Sequence, residues 1–148
     1  MVGSPIVYAH EILKKNFMSI KIELQEKFPV KPETLYNAWL DSEIHSAMTG
    51  GNSICSNKVN GKFMAWDGYI SGTNEALIPN KEIVQKWRTT EFKESDKDSK
   101  LVITIEEIEH GSLLTLTHSN IPEGQSDYKK GWIEHYFNPM KAYFKNNK

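Results

Sequence analysis

The spacing of hydrophobic and polar positions changes along this chain, and each change predicts a different element. Residues 20–28 alternate apolar with charged or amide side chains, a period of two that predicts a β-strand. Apolar residues then recur at helical spacing over residues 32–39, where Pro32 suits a first helical turn. A second short helix is predicted over residues 44–48, stopped by the glycine pair that starts at Gly50. The opening of the chain therefore predicts one strand followed by two short helices.

Six further runs of β-branched and aromatic residues are typical of short antiparallel strands. Their predicted bounds are residues 53–59, 62–71, 73–78, 82–90, 100–107 and 112–119. Turn-forming pairs separate several of them, among which Asn60-Gly61 is the strongest hairpin signal. Pro79-Asn80 and His110-Gly111 predict two more turns, and the charged run between residues 91 and 99 predicts a solvated loop.

The closing segment predicts one long amphipathic helix over residues 125–145. Trp132, Tyr136 and Met140 recur four residues apart and form its apolar stripe. Pro139 lies inside this run, removes one helical hydrogen bond and predicts a kink near Tyr136.

This order of elements predicts an α+β protein with a helix-grip (START-like) fold. A curved antiparallel β-sheet wraps around the long C-terminal α-helix, because only that helix carries enough apolar surface to cover the concave face. Two short helices follow the first strand. Residues 18–148 are predicted to form this single domain, and residues 1–17 an appended N-terminal arm, either flexible or a short helix.

The punctuated aromatic strands resemble a known family. Gly61-Lys62-Phe63, Asp67-Gly68 and Ser71-Gly72 are followed by Ile78-Pro79 and Lys86-Trp87-Arg88. In this order they resemble the C-terminal domain of the activator of heat shock protein 90 ATPase, in its stand-alone form. That family lies within the START and birch-pollen-allergen-like superfamily, and the resemblance covers nearly all of residues 18–148.

The resemblance implies a co-chaperone role, related to stress response, with a heat shock protein 90-type chaperone as partner. Such a contact is expected at exposed edges near residues 71–81 and at the closing helix. In eukaryotic members a separate N-terminal domain makes the main chaperone contact. This sequence shows no counterpart of it, so direct stimulation of the ATPase is not expected.

Composition narrows the function further. The 148 residues carry 18 basic and 19 acidic side chains, a net charge of −1, which argues against nucleic-acid binding. No apolar run approaches the length of a membrane span. The single cysteine, Cys55, and an N-terminus without signal-peptide layout predict a cytoplasmic protein. Cys55 itself is expected to be a half-buried strand residue rather than a reactive thiol.

Catalytic motifs are missing from the sequence. The five histidines lack metal-ligand spacing, and neither a phosphate loop nor a nucleophile motif occurs, so no metal or cofactor is expected. We therefore predict a non-catalytic binding domain. The alternative is a cavity enzyme of cyclase or hydrolase type, for which His118 and Asp67 are the only candidate polar pair. For His118 a hydrogen-bonded structural role is favoured, and for Asp67 a role in a turn or bulge.

A large aromatic surface between sheet and helix is how this fold builds a pocket for an apolar small molecule. A fully packed interior is the competing interpretation. The residues predicted to line such a cavity are Trp39, Phe63, Trp66, Trp87, His118, Trp132, Tyr136 and Met140.

Overall fold

Six strands and four helical segments, with a π-helical turn between the last two, make up the protein in a computed structural model that describes residues 19–147. The predicted arm over residues 1–17 lies outside the described residues. The strands are β1 (Ile20–Phe28), β2 (Lys62–Ala65), β3 (Ile70–Ile78), β4 (Glu82–Thr89), β5 (Ser99–Ile108) and β6 (Gly111–Ile121). The helical segments are α1 (Pro32–Leu40), α2 (Ser42–Thr49), α3 (Tyr128–Trp132), the π-helical turn (Ile133–Phe137) and α4 (Asn138–Asn146).

All six strands pair antiparallel in one open sheet, in the order β1-β6-β5-β4-β3-β2. One sheet face is buried against the helices, so strand residues alternate between buried and exposed. Along β6, Leu114 and Leu116 are fully buried. The predicted α+β fold, with two short helices after the first strand and a C-terminal helix against the sheet, is confirmed.

The predicted strand over residues 53–59 is wrong. Only one isolated bridge forms there, between Ile54 and Met64. The backbone N–H groups of Gly51, Ser53 and Cys55 instead donate to side-chain hydroxyls of α2, at 3.2, 2.9 and 2.8 Å.

The acceptors are the hydroxyls of Thr49, Ser46 and Ser42, in that order, and they form one ladder along α2. The acceptors are three or four residues apart on the helix, which advances about 4.5 to 6 Å over that distance. The donors are two residues, or about 6.6 Å, apart on the loop, so each hydroxyl lies near one N–H group. We call this set the hydroxyl ladder. It satisfies N–H groups that a neighbouring strand would otherwise have satisfied.

The predicted break between strands at Gly72 is also wrong. The β2–β3 turn lies at residues 66–69, where Trp66, Asp67 and Gly68 all have positive φ angles of 52°, 58° and 92°. Gly72 is inside β3, and a Cβ atom there would collide with the Lys86 carbonyl oxygen of the paired strand. The glycine therefore serves close strand approach rather than a turn.

Of the other predicted turns, Asn80 connects β3 to β4 and His110 connects β5 to β6, each with a left-handed φ, of 64° and 68°. Asn60 is left-handed too, at 68°, but the element before it is the helix α2 and its following loop rather than a strand. Its N–H donates to the Asn74 carbonyl at 2.7 Å, so this turn closes a loop against β3 and does not form a hairpin.

The C-terminal helix begins later than predicted, at Tyr128, because Asp127 caps it by accepting a hydrogen bond from the Lys130 N–H at 3.1 Å. The irregularity expected near Tyr136 takes the form of the π-helical turn, in which the Asn138 N–H donates to the Ile133 carbonyl. Pro139 has no N–H to continue an α-helical ladder, and the wider turn lets the helix pass it.

Candidate functional site

A chain of hydrogen bonds joins the last helix to the sheet through His118. The Trp132 Nε1–H donates to His118 Nδ1 at 3.1 Å, and since an indole nitrogen is only a donor, Nδ1 must accept. His118 Nε2 therefore carries the proton and donates to Ser99 Oγ at 2.8 Å. The Ser99 hydroxyl in turn donates to the Trp87 carbonyl at 2.6 Å. Both ring nitrogens of this fully buried histidine are satisfied.

A second histidine joins the same helix to α1 and α2. His45 Nδ1 lies 2.8 Å from the Trp39 carbonyl, to which it must donate, so Nε2 accepts from the Tyr136 hydroxyl at 3.0 Å. His45 is buried and packs edge-on against the Trp39 and Tyr136 rings. Together the two histidines fix successive turns of the helix to opposite sides of the core.

Burial sets the protonation state of these groups. Loss of water lowers the pKa of His118 to about 3. It also lowers the pKa of His45, against a smaller opposite effect of the bond to the Trp39 carbonyl. Burial raises the pKa of the Tyr136 hydroxyl. All three side chains are therefore neutral at neutral pH, in keeping with the tautomers assigned above.

Above this network an open groove of about 650 Å³ runs between the C-terminal helix and the sheet. One wall comes from residues 126–136, and the other from the β2–β3 turn and from Trp87 of β4. Its rim carries Tyr69 and Tyr128, whose hydroxyls bond to Glu91 and Gln125 at 2.8 and 2.9 Å. Burial is the main cause that raises the pKa of Tyr128 to about 12, so this rim phenol is neutral.

Trp66, in the groove, has an uncommon backbone conformation and a buried N–H group without a hydrogen-bond partner. Its backbone is left-handed, a conformation uncommon for a large side chain, and its ring covers Gly51 so closely that any side chain there would collide with it. The other neighbour is His135, whose ring lies edge-on with the two centroids 5.5 Å apart. Within residues 19–147, the Trp66 Nε1–H is the one buried side-chain polar group without a hydrogen-bond partner.

The eight residues predicted to line a cavity fall into two layers. Trp66, Trp87, Trp132 and Tyr136 line the groove. Trp39, Phe63, His118 and Met140 do not line it. They are buried in the core, as are Trp87, Trp132 and Tyr136. The structure brings Trp39, Trp132 and Tyr136 together, with the centroids of neighbouring rings 4.8 to 6.2 Å apart. Ligand binding by these eight residues stays a prediction.

Sequence analysis did not single out Gly131, Tyr69, Tyr128 or His135 as groove residues. Tyr128 could have been found, because it continues the four-residue spacing of Trp132 and Tyr136 towards the N-terminus. His135 has no counterpart in that spacing. It is exposed, but it also packs against Trp66.

The polar pair that an enzyme would need is not assembled. Asp67 is exposed at the β2–β3 turn, where its backbone N–H bonds to the Asn52 carbonyl. His118 is buried with both nitrogens occupied. Cys55 lies in a loop rather than a strand, and burial together with the Asp41 charge raises its pKa to about 11, which keeps the thiol protonated.

Residues 19–147 contain neither a cluster of metal-ligating side chains nor a helix suited to span a membrane. No group of three or more histidine, cysteine, aspartate or glutamate side chains could hold a metal ion there. Over the same range no helix is both long and apolar enough to cross a membrane.

Fold and groove together define a helix-grip α+β protein with aromatic residues between its sheet and its last helix. Residues 29–145 match the family described as "Activator of Hsp90 ATPase homolog 1-like protein". The chain belongs to this family, which confirms the resemblance inferred from residues 60–88.

Named relatives agree with the assignment. The human "Activator of 90 kDa heat shock protein ATPase homolog 1" is 32% identical over 127 residues, which are 84% of this chain and 37% of that protein. A Dictyostelium discoideum homolog is 27% identical over 83% of this chain and 32% of its own length. This chain thus spans about a third of the curated relatives it matches.

Among solved structures, an HSP90 activator from Plasmodium falciparum superposes with a TM-score of 0.75 at 27% identity, covering 84% of this chain and 95% of its own. The Aha1 dimer from Colwellia psychrerythraea gives a TM-score of 0.72 at 18% identity, covering 87% and 98%. At that identity the second similarity shows the fold alone.

Proposed function

We propose that this chain is a non-catalytic, cytoplasmic binding domain whose partner is an Hsp90-type chaperone. The observation that carries the proposal is membership of the activator family, with relatives that are themselves named activators. Within residues 19–147, Asp67 is exposed and both nitrogens of His118 are hydrogen-bonded, which supports binding rather than catalysis. The single cysteine fits a reducing compartment.

The open part of β3 is the contact surface that we propose. β2 pairs with β3 only as far as Thr73, so beyond Asn74 no strand among residues 19–147 covers that side of β3. Ile78 at the end of this edge is 48% exposed. An uncovered strand edge beside an exposed apolar side chain is suited to pairing with an extended segment of a partner. This edge lies within the region, residues 71–81, that the family resemblance indicated.

The test is calorimetric titration of the chain with a purified Hsp90-type chaperone. We expect weak but measurable binding that Ile78→Asp reduces about tenfold, since it replaces the exposed apolar side chain of this edge with a charge. Ile54→Asp is the matched control, because Ile54 is equally exposed, at 56%, but lies on the other side of β2. Loss of affinity in both variants would reject this edge as the contact, and no binding by the wild type would reject the chaperone partner.

The groove favours a second candidate function, binding of an apolar small molecule. Its volume of about 650 Å³ lies within the usual range of ligand sites, about 300 to 1,000 Å³. Four of the predicted aromatic residues line it. Beneath them the core is packed, so a ligand would lie in the groove rather than in an enclosed cavity.

Gly131 offers a clean test of the groove. It lines the groove, and a Cβ atom added there would meet no heavy atom within 4 Å. Gly131→Leu should therefore fill the groove without disturbing the core, while Gly131→Ala keeps most of the space and serves as the control.

Fatty acids, sterols and aromatic metabolites would be titrated while tryptophan fluorescence is recorded. We expect a ligand of one of these classes to bind the wild type and the alanine variant but not the leucine variant. Equal binding to all three would place the ligand elsewhere, and no response from any would favour a fully packed binding module.

A further inference from the structure

The sheet face turned away from the helices carries a row of lysines. Lys86 is exposed between the buried residues Gln85 and Trp87, and Lys100 is exposed between Ser99 and Leu101, which are also buried. These two lysines lie directly opposite each other on β4 and β5.

Lys62 extends the row to the edge strand. It is exposed on β2 opposite Thr73, and Thr73 is in turn opposite Lys86. Neighbouring strands lie about 4.8 Å apart, so the three lysine positions span about 14 Å. Ser119 follows on β6, opposite Lys100. We call Lys62, Lys86 and Lys100 the lysine row.

No acidic side chain among residues 19–147 forms an ion pair with a lysine of the row. The ion pairs found among residues 19–147 are Arg88–Asp98, His110–Glu109, Lys130–Glu134 and Lys141–Glu26, and none of them includes a row lysine. On β4 the only acidic residue is Glu82, four residues from Lys86 and about 13 Å away along the strand. On β3 the only acidic residue is Glu75, an exposed residue at the irregularity two positions beyond Thr73, and it forms none of these ion pairs. Asp98 is committed to Arg88 at 2.8 Å.

Such an arrangement works against folding. Like charges directly opposite on neighbouring strands destabilise a sheet, and Lys86 and Lys100 are such a pair. Because the chain as a whole has a net charge of −1, the row does not simply reflect an excess of basic residues.

We propose that the lysine row binds an acidic, extended segment of a partner protein, with carboxylates of the segment over the ammonium groups. The net charge disfavours nucleic acid as the partner. So do Thr73, within the row, and Ser119, at its end, because neither offers an aromatic ring for base stacking. This inference does not rest on the chaperone proposal, because the row lies on the sheet face and not at the open edge of β3.

The probe is a fluorescent peptide of alternating glutamate and serine, with a glutamine–serine peptide as the neutral counterpart. Fluorescence anisotropy would be recorded against the full chain as salt is raised. We expect the acidic peptide alone to bind, and its affinity to fall with salt, because exposed charges are screened.

The decisive variant is Lys86→Gln with Lys100→Gln. Lys129→Gln with Lys145→Gln removes the same charge from exposed positions on the C-terminal helix and is the matched control. The row variant should bind the acidic peptide about tenfold more weakly and the control within about twofold of wild type. Circular dichroism would establish that both variants are folded, as expected for exposed positions.

Three results would overturn the proposal: no binding by the wild type, equal loss in both double variants, or row-dependent binding of anionic vesicles or single-stranded DNA without binding of the peptide. Chaperone binding that is unchanged in the row variant would leave the chaperone proposal intact.

Discussion

The structural role of His118 comes from its burial and from the hydrogen bonds of its two ring nitrogens, and not from acid–base chemistry. It lies on the same strand face as Leu114 and Leu116, among apolar neighbours, yet each nitrogen has one partner. Its acceptor nitrogen is the sole partner of the buried Trp132 N–H. The ring therefore attaches the first turn of the last helix to the sheet.

Replacing His118 with leucine should lower the free energy of unfolding by about 2 to 4 kcal/mol, because Trp132 and Ser99 lose partners that water cannot replace. Urea unfolding followed by tryptophan fluorescence measures this change. The control is His110→Asn, at a side chain 89% exposed. Asparagine tolerates the left-handed backbone of this turn, so the variant should stay within about 0.5 kcal/mol of wild type. A loss below about 1 kcal/mol in His118→Leu would contradict the assigned network.

The sequence indicated part of this residue-scale picture. The sequence favoured a hydrogen-bonded structural role for His118. It could not supply the partner, since Trp132 comes from a helix whose rotation depends on the whole core. The role of His45 was missed for the same reason: its partner Tyr136 is 91 residues away.

Among the elements, the hydroxyl ladder holds the loop that follows α2. Ser46 contributes twice, because its hydroxyl accepts from the Ser53 N–H at 2.9 Å and donates to the Ser42 carbonyl at 2.7 Å. Gly51, in the same loop, packs under Trp66. The ladder thus also supports one side of the groove.

Ser46→Ala should destabilise the protein by about 1 to 2 kcal/mol, because it leaves the Ser53 N–H without its acceptor. Chemical unfolding would measure the change, and hydrogen exchange should show faster exchange of the Ser53 amide. Ser95→Ala, at an exposed serine of the charged loop, is the control and should have almost no effect. An unchanged exchange rate at Ser53 would contradict the ladder.

The like-charged lysines of the sheet lead to a prediction about stability. Lys100→Glu converts a like-charged cross-strand pair with Lys86 into an opposite-charged pair, and should raise the free energy of unfolding by about 0.2 to 1 kcal/mol. Thermal unfolding at low and high salt checks this, because the gain should shrink as salt screens the charges. No gain at low salt would show that the two lysines do not oppose folding.

Element order was predictable, and element bounds were predictable only in part. The periodic spacing of apolar residues, together with the turns at Asn80 and His110, correctly predicted the order of strands and helices. The pattern over residues 53–59 is typical of a strand. In the structure, however, the backbone N–H groups of Ser53 and Cys55 donate to hydroxyls of α2 and not to a neighbouring strand. Gly72 looked like a turn because a glycine needed for close strand approach and one needed for a turn are indistinguishable in a single sequence.

For the whole molecule, the two buried histidines link stability to pH. Above about pH 6.5 the folded and unfolded chains both hold neutral imidazoles, so stability does not depend on them. Below it the unfolded chain takes up protons, whereas folded His118 stays neutral until about pH 3. The unfolded state then binds more protons, and the free energy of unfolding falls as the pH falls.

Between about pH 7 and pH 5 we expect His118 alone to reduce the free energy of unfolding by about 2 kcal/mol, with a further loss from His45 in the same direction. Urea unfolding at the two pH values measures the sum. The dependence should be smaller in His118→Leu than in wild type. A stability that is flat over this range would show that the histidines are not held neutral.

The π-helical turn has a consequence for the phase of the last helix. Tyr128, Trp132, Tyr136, Met140 and Phe144 are all buried and are spaced four residues apart. In a regular α-helix this spacing drifts by about 40° at each step, so the ends of the stripe would face different directions. The wider turn at Ile133–Phe137 rotates the chain less per residue and brings the stripe back into line with the sheet. The turn therefore holds one residue more than a regular helix would need for the same rotation. Deleting one residue from it would restore regular helical geometry and leave Met140 and Phe144 facing the core, whereas the same deletion inside α4 would rotate every residue beyond it by about 100°.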